Sequence, residues 1–178
     1  LGIGLAESVG FWVFLPLFEL CLSSFFDFCV LNESWHWVGS LSALIVLGVA
    51  NLVEIFAYYI PYIDNLLDSV AIPLATIAGT AVMVSTVADL SPVVTWALAI
   101  IAGGGTASAI AGSSGVTRLA STATTGGLGN PIVSTVETGA SILLSVASIF
   151  LPILGFVLVI IIVFIIFRIY KKIKVKSH

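Results

Sequence analysis

Seven acidic side chains fall within or at the edges of long apolar tracts in this chain: Glu7, Glu19, Glu54, Asp64, Asp68, Asp89 and Glu137. An ionisable group at bilayer depth costs roughly 2.5–3.5 kcal/mol on insertion scales, so it usually faces a bundle interior or a wet cavity. The chemistry open to such a carboxylate is the binding of a proton or a cation. Glu54 sits in the middle of "VANLVEIFAYY", with Asn51 one helical turn earlier on the same face. It reads either as a protonated carboxyl bonded to a neighbouring helix or as a proton or cation site. Asp64 and Asp68 in "YYIPYIDNLLDSVAIP" are four residues apart and share a face, with Asn65 beside them. Pro61 marks the start of that helix, so both acids lie in its first two turns, where the helix dipole favours negative charge. They either cap the helix or form a cation site at its mouth. Ser134, Glu137, Ser141, Ser145 and Ser148 recur at steps of three, four, four and three, one stripe on one helix. Small hydroxyl residues often serve only close packing; the glutamate on the stripe raises the alternative of a hydrated pathway.

Two further features bear on chemistry. "TTGGLGNP" (124–131) is expected to be irregular, because its glycines are permissive and the residue before Pro131 is pushed away from helical dihedrals. It reads as a plain connector or as a loop that folds back to gate or bind, with Asn130 in it and Arg118 as counter-charge to one of the acids. Enzyme signatures are missing: there is no HExxH, no GxSxG and no histidine in any apolar span. "GLGNP" has Asn130 where an intramembrane aspartyl protease would need an acid. Cys21 and Cys29 lack metal-ligand spacing and read as apolar fillers. No catalysis, cofactor or metal is expected.

The elements that hold these groups follow from composition. Of 178 residues, 60% are hydrophobic and only 8% charged, with a mean hydropathy of +1.23. That is an all-α integral membrane protein. The formal charge is −3, and five of the six basic residues fall in the last eleven positions, so a nucleic-acid partner is not expected. A spanning helix needs about 20 apolar residues, and that ruler predicts six spans, at 1–23, 41–60, 65–88, 93–112, 131–150 and 152–170. The first is read as a mature span and not a signal peptide, since it has no basic leader and carries Glu7, Pro16 and Glu19. Pro152 is the natural turn in the apolar tract from Asn130 to Tyr170. Six spans, with the basic tail 171–178 in the cytoplasm, put both termini and Arg118 on the cytoplasmic side. The loop 24–40, acidic and aromatic, then lies outside.

"AIIAGGGTASAIAGSSG" (99–115) has almost no large side chains after its first residues and is expected at the centre of the bundle. Weak internal repetition is also visible. "ESVGFWVFLPL" (7–17) lies on "GSSGVTRLAST" (112–122), and "VANLVEIFA" (49–57) on "IVSTVETGA" (132–140), matching Glu54 to Glu137. With three spans per half this predicts a single transmembrane domain made of halves 1–90 and 91–170 in a 3+3 inverted-topology repeat.

"GIGLAESVGFWVFLPL" (2–17), "YYIPYIDNLLDSVAIPLATIAGT" (58–80), "WALAIIAGGG" (96–105) and "STATTGGLGNPIVSTVE" (121–137) resemble a family of small bacterial membrane proteins catalogued as a domain of unknown function. The resemblance covers nearly the whole chain. It implies a bacterial inner membrane, or a plastid membrane derived from one, and supplies no reaction. The expected function is a transporter or channel-like protein for protons, a cation or a small neutral solute, with Glu54, Glu137, Asn51, Asp64, Asp68, Asn130, Glu7 and Arg118 along its pathway. The alternative is a non-catalytic scaffold or a lipid-interacting, scramblase-like subunit. Membrane lipids and a second copy of the chain are the expected partners.

Overall fold

Pro16 decides the first element. In a continuous helix its ring would collide with the carbonyl of Trp12, and its missing N–H would leave that carbonyl unpaired. The computed structural model shows the helix broken there: α1 is Gly2–Phe11 and α2 is Phe14–Phe25, with Trp12 extended at φ −140°. Pro16 thereby falls in the first turn of α2, where amides have no helical partner to lose. The structure describes residues 1–87 and 90–153 and, beyond them, positions 157, 160–162, 164, 165 and 168; the side chains at 61, 62, 64 and 65 are not among those described.

After α2 a loop leads into a 3₁₀ helix, Glu33–Gly39, whose first turn is capped by the Asn32 side chain. Helix α3 spans Leu41–Tyr58 with Ser40 as its N-cap, and α4 spans Pro61–Thr86 with its proline in the first turn. Then α5, Pro92–Leu98, passes through a π-helical stretch, Ala99–Gly104, into α6, Gly105–Thr125. A four-residue turn separates it from α7, Asn130–Phe150.

Four helices among the described residues are long and apolar enough to cross a membrane: Leu41–Tyr58, Leu66–Thr86, Pro92–Thr125 and Asn130–Phe150. The chain is therefore an integral membrane protein. The expected fifth span begins one residue early, and α7 ends at Phe150 just before Pro152, as its ring requires. The expected sixth span, 152–170, and the tail lie largely outside the described residues.

The first expected span, 1–23, does not cross. A Cβ on Gly2 would touch Thr86 and Met83 at the end of α4, and Asn32, just beyond α2, donates its amide to Ser85. Both outer ends of the α1–α2 pair thus lie at one end of the bundle. The pair is a re-entrant hairpin, and ten residues of helix reach about 15 Å, half of a hydrocarbon core. Leu1 consequently lies at the opposite end from Arg118 and the turn after α6, whereas six crossings would put them on one side.

The inverted repeat also fails as an ordering of these elements. Gly2 meets Met83, which Gly103 also meets, and Gly10 packs against Ala107 and Ile110, so α1 runs parallel to the matched α6 segment. Helix α3 starts beside α2's end, where Gly39 meets Ser24, and α7 ends there, where Phe150 meets Phe28. The α3–α7 match is therefore antiparallel, and one symmetry operation cannot relate both pairs.

The glycine-rich segment does occupy the centre. A Cβ on Gly103 would come within 2.5 Å of the Gly79 carbonyl, and one on Gly79 within 2.6 Å of the Ala107 Cβ. Backbones of α4 and the π stretch touch directly, the contact that small residues permit.

Candidate functional site

The break in the hairpin frees backbone amides inside the bundle, and an orphaned buried donor is costly. Glu54 of α3 resolves this. Its Oε1 accepts from the Val13 amide and its Oε2 from the Phe14 amide, both at 2.9 Å. A carboxylate thus caps the N-terminus of α2, where the helix dipole favours it. Glu54 stands four residues before the end of α3, nearer one end of its helix than the middle that the sequence pattern predicts. Asn51, one turn earlier, is buried with its Oδ1 unpartnered.

Beside the hairpin tip lies a second charged group. Arg118 is within α6 and only 2% exposed, not in a loop as expected. The helix continues past 112 to Thr125, and its hydroxyl residues find acceptors inside it, as Thr117 does in the Ser113 carbonyl and Thr125 in that of Ser121. Arg118 pairs with Glu137 of α7 through Nη2 and, at 3.1 Å, through Nε. Its Nη1 stands 3.7 Å from Asp68 of α4. Ser114, one turn before Arg118, donates to the other Glu137 oxygen. The guanidinium lies 4.1 Å over the Tyr58 ring, and Tyr58 meets Trp12 edge-on at 4.9 Å. Such a stacked, bidentate cation is the kind arginine serves best. Arg118 is therefore the counter-charge expected from sequence, and Glu137 and Asp68 share it.

The serine stripe of α7 is wholly buried. Ser141 donates to the Ser8 carbonyl of α1 at 3.2 Å, and Ser145 donates to the Ser141 carbonyl within α7. Ser134 and Ser148 have buried hydroxyls without partners. The stripe from Ser134 to Ser148 covers about 21 Å along the helix. Glu7, facing the interior from α1, is fully buried with both carboxyl oxygens unpartnered. Between α6 and α7 a cleft of about 310 Å³ opens over Phe11, Ser114, Thr117, Ile132, Val136 and Glu137.

The remaining expected residues serve elsewhere. Asn130, buried at the start of α7, donates to Thr122 Oγ1 at 3.1 Å and so ties the turn, which is a tight connector with Gly126 at φ +64° and Gly127 at +89°. The side chains of Asp64 and Asn65, and all of Asp89, lie outside the described residues. Among those described, no cluster of three His, Cys, Asp or Glu could hold a metal ion. Tyr58, Trp12 and Ser114 were not anticipated. Only Ser114 had a signal, its four-residue spacing from Arg118 on one face.

No curated protein and no solved structure matches the chain. It belongs to the family described as Domain of unknown function (DUF4126), whose profile matches residues 1–172.

Proposed function

We propose that this DUF4126 protein is a small membrane transporter that moves protons, a cation or a small neutral solute along the buried polar seam between the hairpin and α7. The observation that carries the reading is the re-entrant hairpin itself, broken at Trp12 and closed by Glu54 on two backbone amides. Non-helical backbone at membrane depth occurs where protein or a water-filled cavity surrounds it, and broken helices are a recurrent way to build transport sites. In this reading Glu54 holds the tip in one position, and the Arg118–Glu137 pair braces the side of the tip facing α6 and α7. Release of the Glu54 carboxylate from the amides would free the tip to move. The end carrying Arg118 is read as cytoplasmic on the positive-inside rule, in a bacterial inner membrane.

Proteoliposomes with a pH-sensitive dye, under an imposed proton gradient and candidate cations, test this. Wild type should show flux, and Glu54→Gln and Glu137→Gln should each reduce it at least tenfold while remaining folded. A folded wild-type protein silent under every ion and potential would end the transport reading. A specific feature would then favour lipid handling: the α6–α7 cleft opens between Ile132 and Val136, both largely exposed on the bundle's outer face, with the polar Ser114 and Glu137 behind them. A fluorescent-lipid flip assay on the same vesicles measures that activity.

A further inference from the structure

Three acids are deeply buried around the hairpin, and they differ in one respect. Glu54 is held by two amides and Glu137 by Arg118 and Ser114, whereas neither oxygen of Glu7 has a partner. Glu7 is also the most enclosed, at 0% exposure. Protonation alone does not settle such a group. An ionised carboxylate needs donors and a protonated one an acceptor for its O–H, and among the described residues no group hydrogen-bonds either oxygen.

The direction Glu7 faces follows from its helix. Phe11, four residues on and therefore on the same face, lines the cleft between α6 and α7 with Val133, Val136 and Glu137. The neighbouring Ser8 carbonyl accepts from Ser141. Glu7 thus sits one turn deeper than Phe11, at the level of the serine stripe. A cation would give an ionised Glu7 its counter-charge, and the neighbouring Ser8 carbonyl and Ser141 hydroxyl offer oxygen at the same level of the bundle.

We propose that Glu7 is the charged ligand of a monovalent inorganic cation site of about sodium size, completed by α7 serine hydroxyls and backbone carbonyls at the α1–α7 contact. A single carboxylate balances one positive charge. A divalent ion usually recruits several charged oxygens, and no such group of acids is found among the described residues. Phe11 lines the cleft and Glu7 does not, so a ligand reaching Glu7 from the cleft must pass Phe11, which favours a small inorganic ion over a bulky organic ammonium. The inference names the cargo of the transport reading and rests on that reading for its role, but binding is measured independently of flux.

The test is binding of radioactive sodium to the purified full-length chain in detergent at pH 8, by scintillation proximity. Saturable binding displaced by unlabelled sodium and not by choline is expected. Binding should fall at least tenfold in Glu7→Gln and stay within twofold in Glu33→Gln, an acid at the start of the 3₁₀ helix. Proton and sodium would compete for the same oxygens, so wild-type binding should weaken steadily as pH is lowered. Among the described side chains, the other acids and bases on elements packed against α1 are Glu19 on α2, Asp68 on α4, Arg118 on α6 and Glu137 on α7, α4 also carrying Asp64, and Glu7→Gln separates their titration from that of Glu7. If that variant does not fold, the wild-type titration decides alone: pH-independent binding overturns the site. Absence of binding by a folded wild type overturns it as well, whatever flux is seen. Saturable, Glu7-dependent binding without flux supports the site and counts against transport.

Discussion

Two interfaces of α1's surroundings are built on opposite principles. Where α4 crosses the π-helical stretch, Gly79 and Gly103 bring backbone against backbone with no side chain between them. Where the hairpin meets α7, the contact is lined with Glu7, Glu19, Ser134, Ser141, Ser145 and Ser148, several of whose oxygens lack partners. In lipid, helices gain little from burying apolar surface against each other, so close packing and polar bonds carry association. The first interface uses shape alone and leaves nothing unsatisfied. The second keeps unsatisfied polarity, which has a cost and so needs a reason other than stability. The contrast separates a rigid frame from a working surface.

The sharpest break is at the frame. Gly103→Leu must force apart two backbones already in contact, and we expect no folded protein by size-exclusion chromatography. Next is the charged cluster beside the hairpin tip. Arg118→Ala leaves Glu137 buried without its cation and should destabilise by about 3–5 kcal/mol in a denaturant titration. Arg118→Met combined with Glu137→Leu should recover most of that loss, because the buried pair is then gone and only the partly exposed Asp68 loses its cation. Third, Glu54→Ala strips the acceptors from two buried amides, at about 1–3 kcal/mol for each. Hydrogen exchange should localise its loosening to residues 12–15, with the α4 crossing unchanged. The smallest effect belongs to a glycine outside both interfaces. A Cβ on Gly139 would meet nothing within 4 Å, so Gly139→Ala should be neutral or stabilise by up to about 1 kcal/mol.

Much of the frame was legible because its signals are local. A serine cap, a proline in the first helical turn, a proline after the last residue and a run of small residues bounded α3, α4 and α7 and centred the 99–115 segment. The hairpin was hidden by the same ruler that found the others: 23 apolar residues read as a span unless the collision between Pro16 and the Trp12 carbonyl is weighed. Arg118 fell outside a span because the ruler of about 20 residues stopped at 112, whereas α6 runs on to Thr125 with its hydroxyls bonded back within the helix. The acids were found by type, but which of them lack partners is decided by contacts 19 to 133 residues apart in sequence, and no periodicity encodes those.

The hairpin also constrains how the molecule is made. Its residues leave the ribosome before their partners do: Val13 and Phe14 wait for Glu54, about 40 residues later, and Ser8 for Ser141, 133 residues later. Too short to cross and bearing two carboxyls, it cannot be stably inserted alone. The hairpin, made before α3 to α7, must therefore settle after them, slipping into a scaffold already laid across the bilayer by the later helices.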